Sequence, residues 1–209
     1  MKPVMPMRTS RTCTAHAISP GRGARGVPYQ AMSDLDAIRR LLATTVPRWE
    51  QLIETLQPAA LERRPRPGEW SAADCLEHLL HTERAVFGVR LRHLLEGRPQ
   101  LVPYDPDAPR DREPERTPRE RVAAFRAARD EHLRLLGQLA DADLQRSSYH
   151  PEYGPTTLGM VLNTWAAHDL DHTIQAETAL MQPFIPETGH WHWEFAPREI
   201  LAEAAGSVS

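Results

Sequence analysis

The chain has 209 residues, with 25 basic and 28 acidic side chains, a net charge of −3 and a pI near 6.4. That length suits one domain with a sizeable core plus tails, and the balanced charge gives no global drive toward nucleic acid or an acidic membrane surface. The two cysteines, Cys13 and Cys75, are too far apart and too different in context to form a disulfide framework or a Cys-x-x-Cys site. No apolar run approaches the ~20 residues needed to cross a bilayer. The expectation is a soluble, cytoplasmic protein acting on a small molecule, with neither nucleic acid nor membrane as partner.

Residues 1–32 differ from the rest. They carry Lys2, Arg8, Arg11, Arg22 and Arg25 with no acid and no apolar periodicity. A transit peptide has that composition, but the favoured reading is a disordered or flexible extension before a domain that opens at Met32, Ser33 and Asp34. The domain is expected over 33–182. Residues 183–209 form a tail that packs on it or stays partly disordered.

From Ser33 onward the signals are helical. Leu35, Ile38, Leu41, Leu42, Trp49, Leu52, Ile53 and Leu56 recur at helical spacing, with Pro47 inside the run expected to kink or interrupt it. A loop follows over 57–69, rich in Pro and Gly. Ser71 to Asp74 reads as a capping box that starts a second helix through Leu76, Leu79, Leu80, Val86, Phe87, Leu91, Leu94 and Leu95, stopped at Gly97. A long connector, Pro-rich and charged, occupies 98–116 and is either mobile or a lid. Thr117, Pro118 and Glu120 then restart a third helix using Val122, Phe125, Leu135, Leu136 and Leu139. After a connector over 141–155, Thr156 or Thr157 caps a fourth helix that runs to about Met181. No alternating strand pattern appears in the body of the chain. Four amphipathic helices without strands predict an all-α four-helix bundle.

The fourth helix carries the most informative spacing. His168 and His172 lie one turn apart and share an arc with Leu158, Val161, Trp165, Ala176 and Ala179, whereas Leu170, Ile174 and Glu177 fall elsewhere. Two inward imidazoles need either polar neighbours or a shared cation to offset their desolvation, and both readings stand at this point. Neutral imidazole is a common ligand for zinc and other late divalent metals.

On the second helix, His78 lies at the rim of the apolar arc beside Cys75, Thr82, Ala85 and Val89, while His81 shares the polar arc with Glu77 and Arg84. His78 reads as a boundary histidine or as a third ligand. Glu83 lies within the apolar arc and requires a partner, for which Arg90, two turns on, is the favoured choice over a role behind a metal ligand. In the tail, His190 and His192 could chelate if extended, but Trp191, Trp193 and Phe195 read more naturally as apolar anchors.

Two stretches resemble a known family. Gly68-Glu69-Trp70-Ser71, with His78 and Glu83 following, and His150 to Leu158, followed by His168-Asp169-Leu170-Asp171-His172, are similar in order and separation to the motifs of the DinB/YfiT-like superfamily. The resemblance spans roughly residues 35–181, the long connector included. It implies a four-helix bundle, often dimeric, with a divalent metal on His78, His168 and His172. Zinc or nickel is the first expectation, with manganese or iron as further candidates. A related iron-binding branch carries a Glu two residues past its second helical histidine, where this chain has Ile174.

The family includes enzymes that use low-molecular-weight thiols, so the implied function is a metal-dependent transferase activating such a thiol, or a hydrolase activating water. Glu83 and Asp169 are then candidates for orienting an imidazole or moving a proton. The alternative is a stress-related bundle that binds metal or ligand without turnover. Nucleic-acid binding is disfavoured, because the arginines after Ser33 are interleaved with acids.

Overall fold

In the computed structural model, the residues described are 35–104 and 116–200. The expectations of a flexible residue 1–32 extension and of a mobile or lid-like central connector fall wholly or largely outside them. The helices are α1 (Leu35–Thr55), the short α2 (Pro58–Glu62), α3 (Ala72–Thr82), α4 (Gly88–Leu95), α5 (Pro118–Leu136) and α6 (Leu158–Met181), with α3 and α4 joined end to end by a π-helical turn, Glu83–Phe87. This is the all-α four-helix bundle that the apolar spacing predicts. No helix among the described residues is long and apolar enough to cross a membrane.

The caps act as the sequence implies. The Ser71 hydroxyl accepts from the Asp74 N–H while Asp74 accepts from the Ser71 N–H, and Thr117 and Glu120 form the same reciprocal pair. Thr157, rather than Thr156, caps α6 by accepting from the Met160 N–H. At the other end of α4, Gly97 adopts φ +67°, and the Arg98 N–H reaches the His93 carbonyl to close the helix. Pro47 does not interrupt α1. It sits on the exposed face, where the carbonyl it leaves unpaired one turn earlier meets water.

Two apolar clusters fill the bundle. One contains Leu35, Ile38, Leu42, Phe87, Leu91, Leu94, Leu136, Leu158, Leu162 and Trp165. The other contains Val46, Trp49, Ile53, Leu76, Leu79, Leu80, Phe125 and Ala176. The order in which each helix meets them gives its direction. α1 and α6 pass from the first cluster to the second, whereas the α3–α4 rod and α5 pass from the second to the first. The packed neighbours are α1 with α5 and α6, and α3 with α5 and α6. The α3–α4 rod and α5 are therefore parallel neighbours, and a tight turn cannot join them. The end of α4 at Leu95 and the start of α5 at Pro118 accordingly belong to opposite ends of the bundle.

A two-stranded hairpin departs from the strand-free expectation. β1 (Ser147–His150) pairs antiparallel with β2 (Gly154–Thr157), and Gly154 turns the corner at φ +76°. Its strands are four residues long, and Ser-Ser-Tyr-His and Gly-Pro-Thr-Thr carry no apolar alternation. They are held by backbone bonds, to which the connector adds Leu101 N–H to the Tyr149 carbonyl at 2.9 Å and Tyr149 N–H to the Pro99 carbonyl at 3.0 Å.

The tail also differs from expectation. Trp191 and Trp193 are 64 % and 71 % exposed, so they do not anchor it. Ile185 is buried instead, and the Gln182 amide bonds the backbone of Arg198 and Ile200.

Candidate metal centre

α6 brings His168 and His172 to its inward side, and α3 presents His78 opposite them. One potential ligand atom from each lies within 4.8 Å of the other two. His78 Nε2 and His168 Nε2 are 3.1 Å apart, and the His172 ring centre is 4.4 Å from that of His78 and 4.5 Å from that of His168. His78 is buried, and the other two are half-buried.

The environment favours neutral imidazoles. Burial lowers His168 to about 4, with the neighbouring His172 and the Arg129 guanidinium adding to the effect. Burial also lowers His172, against opposing contributions from Gln175 and the nearby aspartates. The Gln175 side-chain carbonyl lies 2.9 Å from His172 Nδ1. It can only accept, so Nδ1 carries the proton and the Nε2 lone pair is left free. His168 Nδ1 is buried without a partner.

Aromatic rings close in on the cluster. Trp70 stacks on His172 at 5.6 Å and packs 5.0 Å from His78, and Phe87 meets His168 edge-on at 5.1 Å.

The donor set fits a divalent cation. Tetrahedral zinc at ~2.0–2.1 Å from each nitrogen separates its ligand atoms by about 3.3 Å, close to the His78–His168 distance. Two neutral Nε2 atoms facing each other can share only one proton, whereas a cation accepts both lone pairs. Cys75 is no alternative nucleophile here, because burial pushes its thiol up to about 12.

Glu83 and Asp169 go elsewhere. Glu83 does not pair with Arg90. Its carboxylate bonds the Arg129 guanidinium at 3.0 and 2.8 Å, His132 Nδ1 at 2.8 Å and the Trp165 indole N–H at 3.1 Å. Asp169 accepts from Arg129 at 2.8 Å and from the Thr45 hydroxyl at 2.8 Å, and Arg129 also donates to the Leu42 carbonyl. This polar layer draws on all four long helices and lies between the two apolar clusters.

The π turn helps to build the layer. The Gly88 N–H reaches back to the Glu83 carbonyl, and the His132 ring rests where a Gly88 side chain would be, 2.3 Å from an ideal Cβ. Burial alone would raise the Glu83 pKa, but His132 and Arg129 hold it below the ordinary carboxylate range.

Arg129 and His132 are absent from the sequence reading, although a signal for them exists. Val122, Phe125, Arg129, His132 and Leu136 fall on one face at 3-4-3-4 spacing, so a charge and an imidazole interrupt an apolar arc. His190 and His192 do not converge, and His192 pairs with Glu199 at 3.2 Å.

A four-helix bundle with this topology and three converging histidines defines the class. The family model of the DinB superfamily matches residues 14–176, and the chain belongs to that superfamily. Among solved structures, it is similar in fold to YfiT from Bacillus subtilis, described as a probable metal-dependent hydrolase with an unusual four-helix bundle topology. That similarity has a TM-score of 0.60 and 21 % identity, over 80 % of this chain and 95 % of the other. No curated protein matches the sequence. The cluster of three imidazoles is the feature of this chain that suggests a divalent metal.

Proposed function

We propose that the protein is a metal-dependent enzyme in which His78, His168 and His172 hold one divalent ion that activates water for hydrolysis of a small molecule. The observation that carries this reading is the convergence of three imidazole ligand atoms within 4.8 Å. Three protein ligands leave a position for an exogenous group, whereas structural zinc is usually closed by four. A divalent ion held there by His78, His168 and His172 would supply Lewis acidity, polarising a substrate oxygen and lowering the pKa of water.

The chain's own side chains prepare that position. Gln175 fixes the His172 tautomer, and Trp70 and Phe87 pack against His172 and His168. Glu83 and Asp169 act as positioning residues: through Arg129 they tie α3 and α6, which carry the ligands, to α5. Zinc and nickel suit three imidazoles best, with manganese and iron next. Hydrolysis takes precedence over transfer to a low-molecular-weight thiol because the structural relative is described as a hydrolase.

The test is an assay of the purified protein on esters, amides and thiol-acceptor pairs, with added zinc, nickel or manganese and after chelation. Hydrolytic turnover that chelation and His168→Ala both abolish is expected. Turnover only with a thiol would replace hydrolysis by transfer. Bound metal without turnover on any of them would make the protein a non-catalytic binder.

A further inference from the structure

Two buried histidines outside the cluster, His132 and His150, have opposite hydrogen-bond balances. His132 sits between an acceptor and a donor: Nδ1 is 2.8 Å from the Glu83 carboxylate, and Nε2 is 3.3 Å from Arg92 Nη1. A neutral imidazole satisfies both. His150, at the end of β1 and 3 % exposed, sits between two donors. The Glu152 backbone N–H points at Nδ1 from 3.2 Å, and Arg90 Nη2 lies 3.2 Å from Nε2. A neutral imidazole has one acceptor nitrogen, and a guanidinium has none. The single lone pair answers one of the two donors, so the imidazole's own N–H faces another N–H.

Arg90 is short of acceptors as well. Its Nε is buried without a partner, and no carboxylate among the described residues lies within ion-pairing distance of it. Glu152 and Tyr153 act on it only through space. Protonating His150 does not relieve the mismatch: it adds a second positive charge beside the first, and burial together with Arg90 already holds the imidazole below its ordinary pKa. Nε–H and Nη2–H form one edge of the guanidinium, the edge that grips an oxyanion through two parallel bonds. The Arg90 Nη2–H competes with the Glu152 N–H for the one His150 lone pair. Three N–H groups, those of Arg90 Nε, Arg90 Nη2 and the Glu152 backbone, thus have one imidazole lone pair between them.

We infer that Arg90 and His150 form a binding site for an oxyanion group, a carboxylate or phosphate, on a small molecule. The site shares no residue with the histidine cluster, so it stands or falls independently of the metal. Its two halves come from the same chain segments as that cluster, however. Arg90 lies on the rod that carries His78, and His150 lies on the hairpin that leads into α6. An oxyanion bound here ties the hairpin to α4 and selects for negatively charged ligands. The Tyr153 ring, 77 % exposed, lies 4.6 Å from the His150 ring.

The test is thermal unfolding of the full chain with increasing acetate or inorganic phosphate, against chloride at constant ionic strength. Wild type and His168→Ala should show a saturable rise in Tm. Arg90→Gln and, independently, His150→Asn should weaken that response at least tenfold, so a folding defect in one variant leaves the other decisive. A response to acetate alone assigns a carboxylate ligand, and one to phosphate alone a phosphate ester. No saturable response in wild type would overturn the inference. So would a response that survives both substitutions, or one lost in His168→Ala, which would place the anion at the histidine cluster.

Discussion

The bundle interior holds two polar islands, built largely from the same helices. In the Glu83–Arg129–Asp169–His132 layer every charged group is matched by an opposite charge or a hydrogen-bond partner within the layer. In the His78–His168–His172 cluster the Nε2 atoms of His78 and His168 face each other at 3.1 Å, and the His168 Nδ1 has no partner. A saturated buried network fixes how helices pack, because any shift leaves a charge unpaired in a low dielectric. An unsaturated one has capacity for a ligand. Polarity alone does not distinguish them; the count of donors and acceptors does.

The largest effect expected from breaking the saturated island is that of Arg129→Met, which leaves Glu83 and Asp169 buried without their shared cation. Removing one partner of a buried ion pair costs about 3–5 kcal/mol, measurable as a lower midpoint in urea unfolding. A loss below about 1 kcal/mol would show that the layer is not what holds the helices in register. Gly88→Ala comes next. The backbone there is helical (φ −63°), so alanine would ordinarily help. The added Cβ would instead stand 2.3 Å from the His132 ring and 2.8 Å from the Glu83 carbonyl oxygen. Since His132 is tied to Glu83, a net loss of about 1–3 kcal/mol is expected; unchanged stability would mean that the ring is free to move.

The unsaturated island responds differently. Gln175→Leu removes the acceptor that fixes the His172 tautomer, and metal affinity should fall by about 10–100-fold while stability without metal changes little. Equal affinity in the variant, measured by competition with a chelating dye, would remove Gln175 from the site.

The smallest effect is a pH slope. The Glu83 pKa is lowered in the folded state, so its contribution is present above the ordinary glutamate value of about 4.3 and is lost as pH falls through the folded value. Arg129 and His132 from α5, and Trp165 and Asp169 from α6, are the groups that surround it. Across that window this one proton steepens the acid loss of stability by up to about 1.4 kcal/mol per pH unit. Glu83→Gln should be flatter there than wild type. Parallel curves would assign the acid sensitivity to other carboxylates.

Much of the bundle is legible in the sequence because caps and apolar arcs are local. Ser71, Thr117 and the Leu35–Trp49 stripe state their roles within a few residues. Helix direction is not local: that the α3–α4 rod and α5 run parallel emerges only when each helix meets the two apolar clusters in turn. The hairpin escaped notice because backbone pairing, not side-chain alternation, holds Ser147 to Thr157. At the site, the helical arc puts His168 and His172 on the inward side, but the arc cannot say which residue answers Glu83. Arg90 is near it in sequence, whereas Arg129 is near it in space, 46 positions away. The π turn explains part of that mismatch, since one extra residue per turn re-aims everything after Glu83.

The most direct measurement is isothermal titration of zinc into the chelator-stripped full chain and its His168→Ala variant. One equivalent bound by wild type, and none at comparable affinity by the variant, is the expected result. Absence of binding in wild type, or equal binding by both proteins, would contradict a metal centre on His78, His168 and His172.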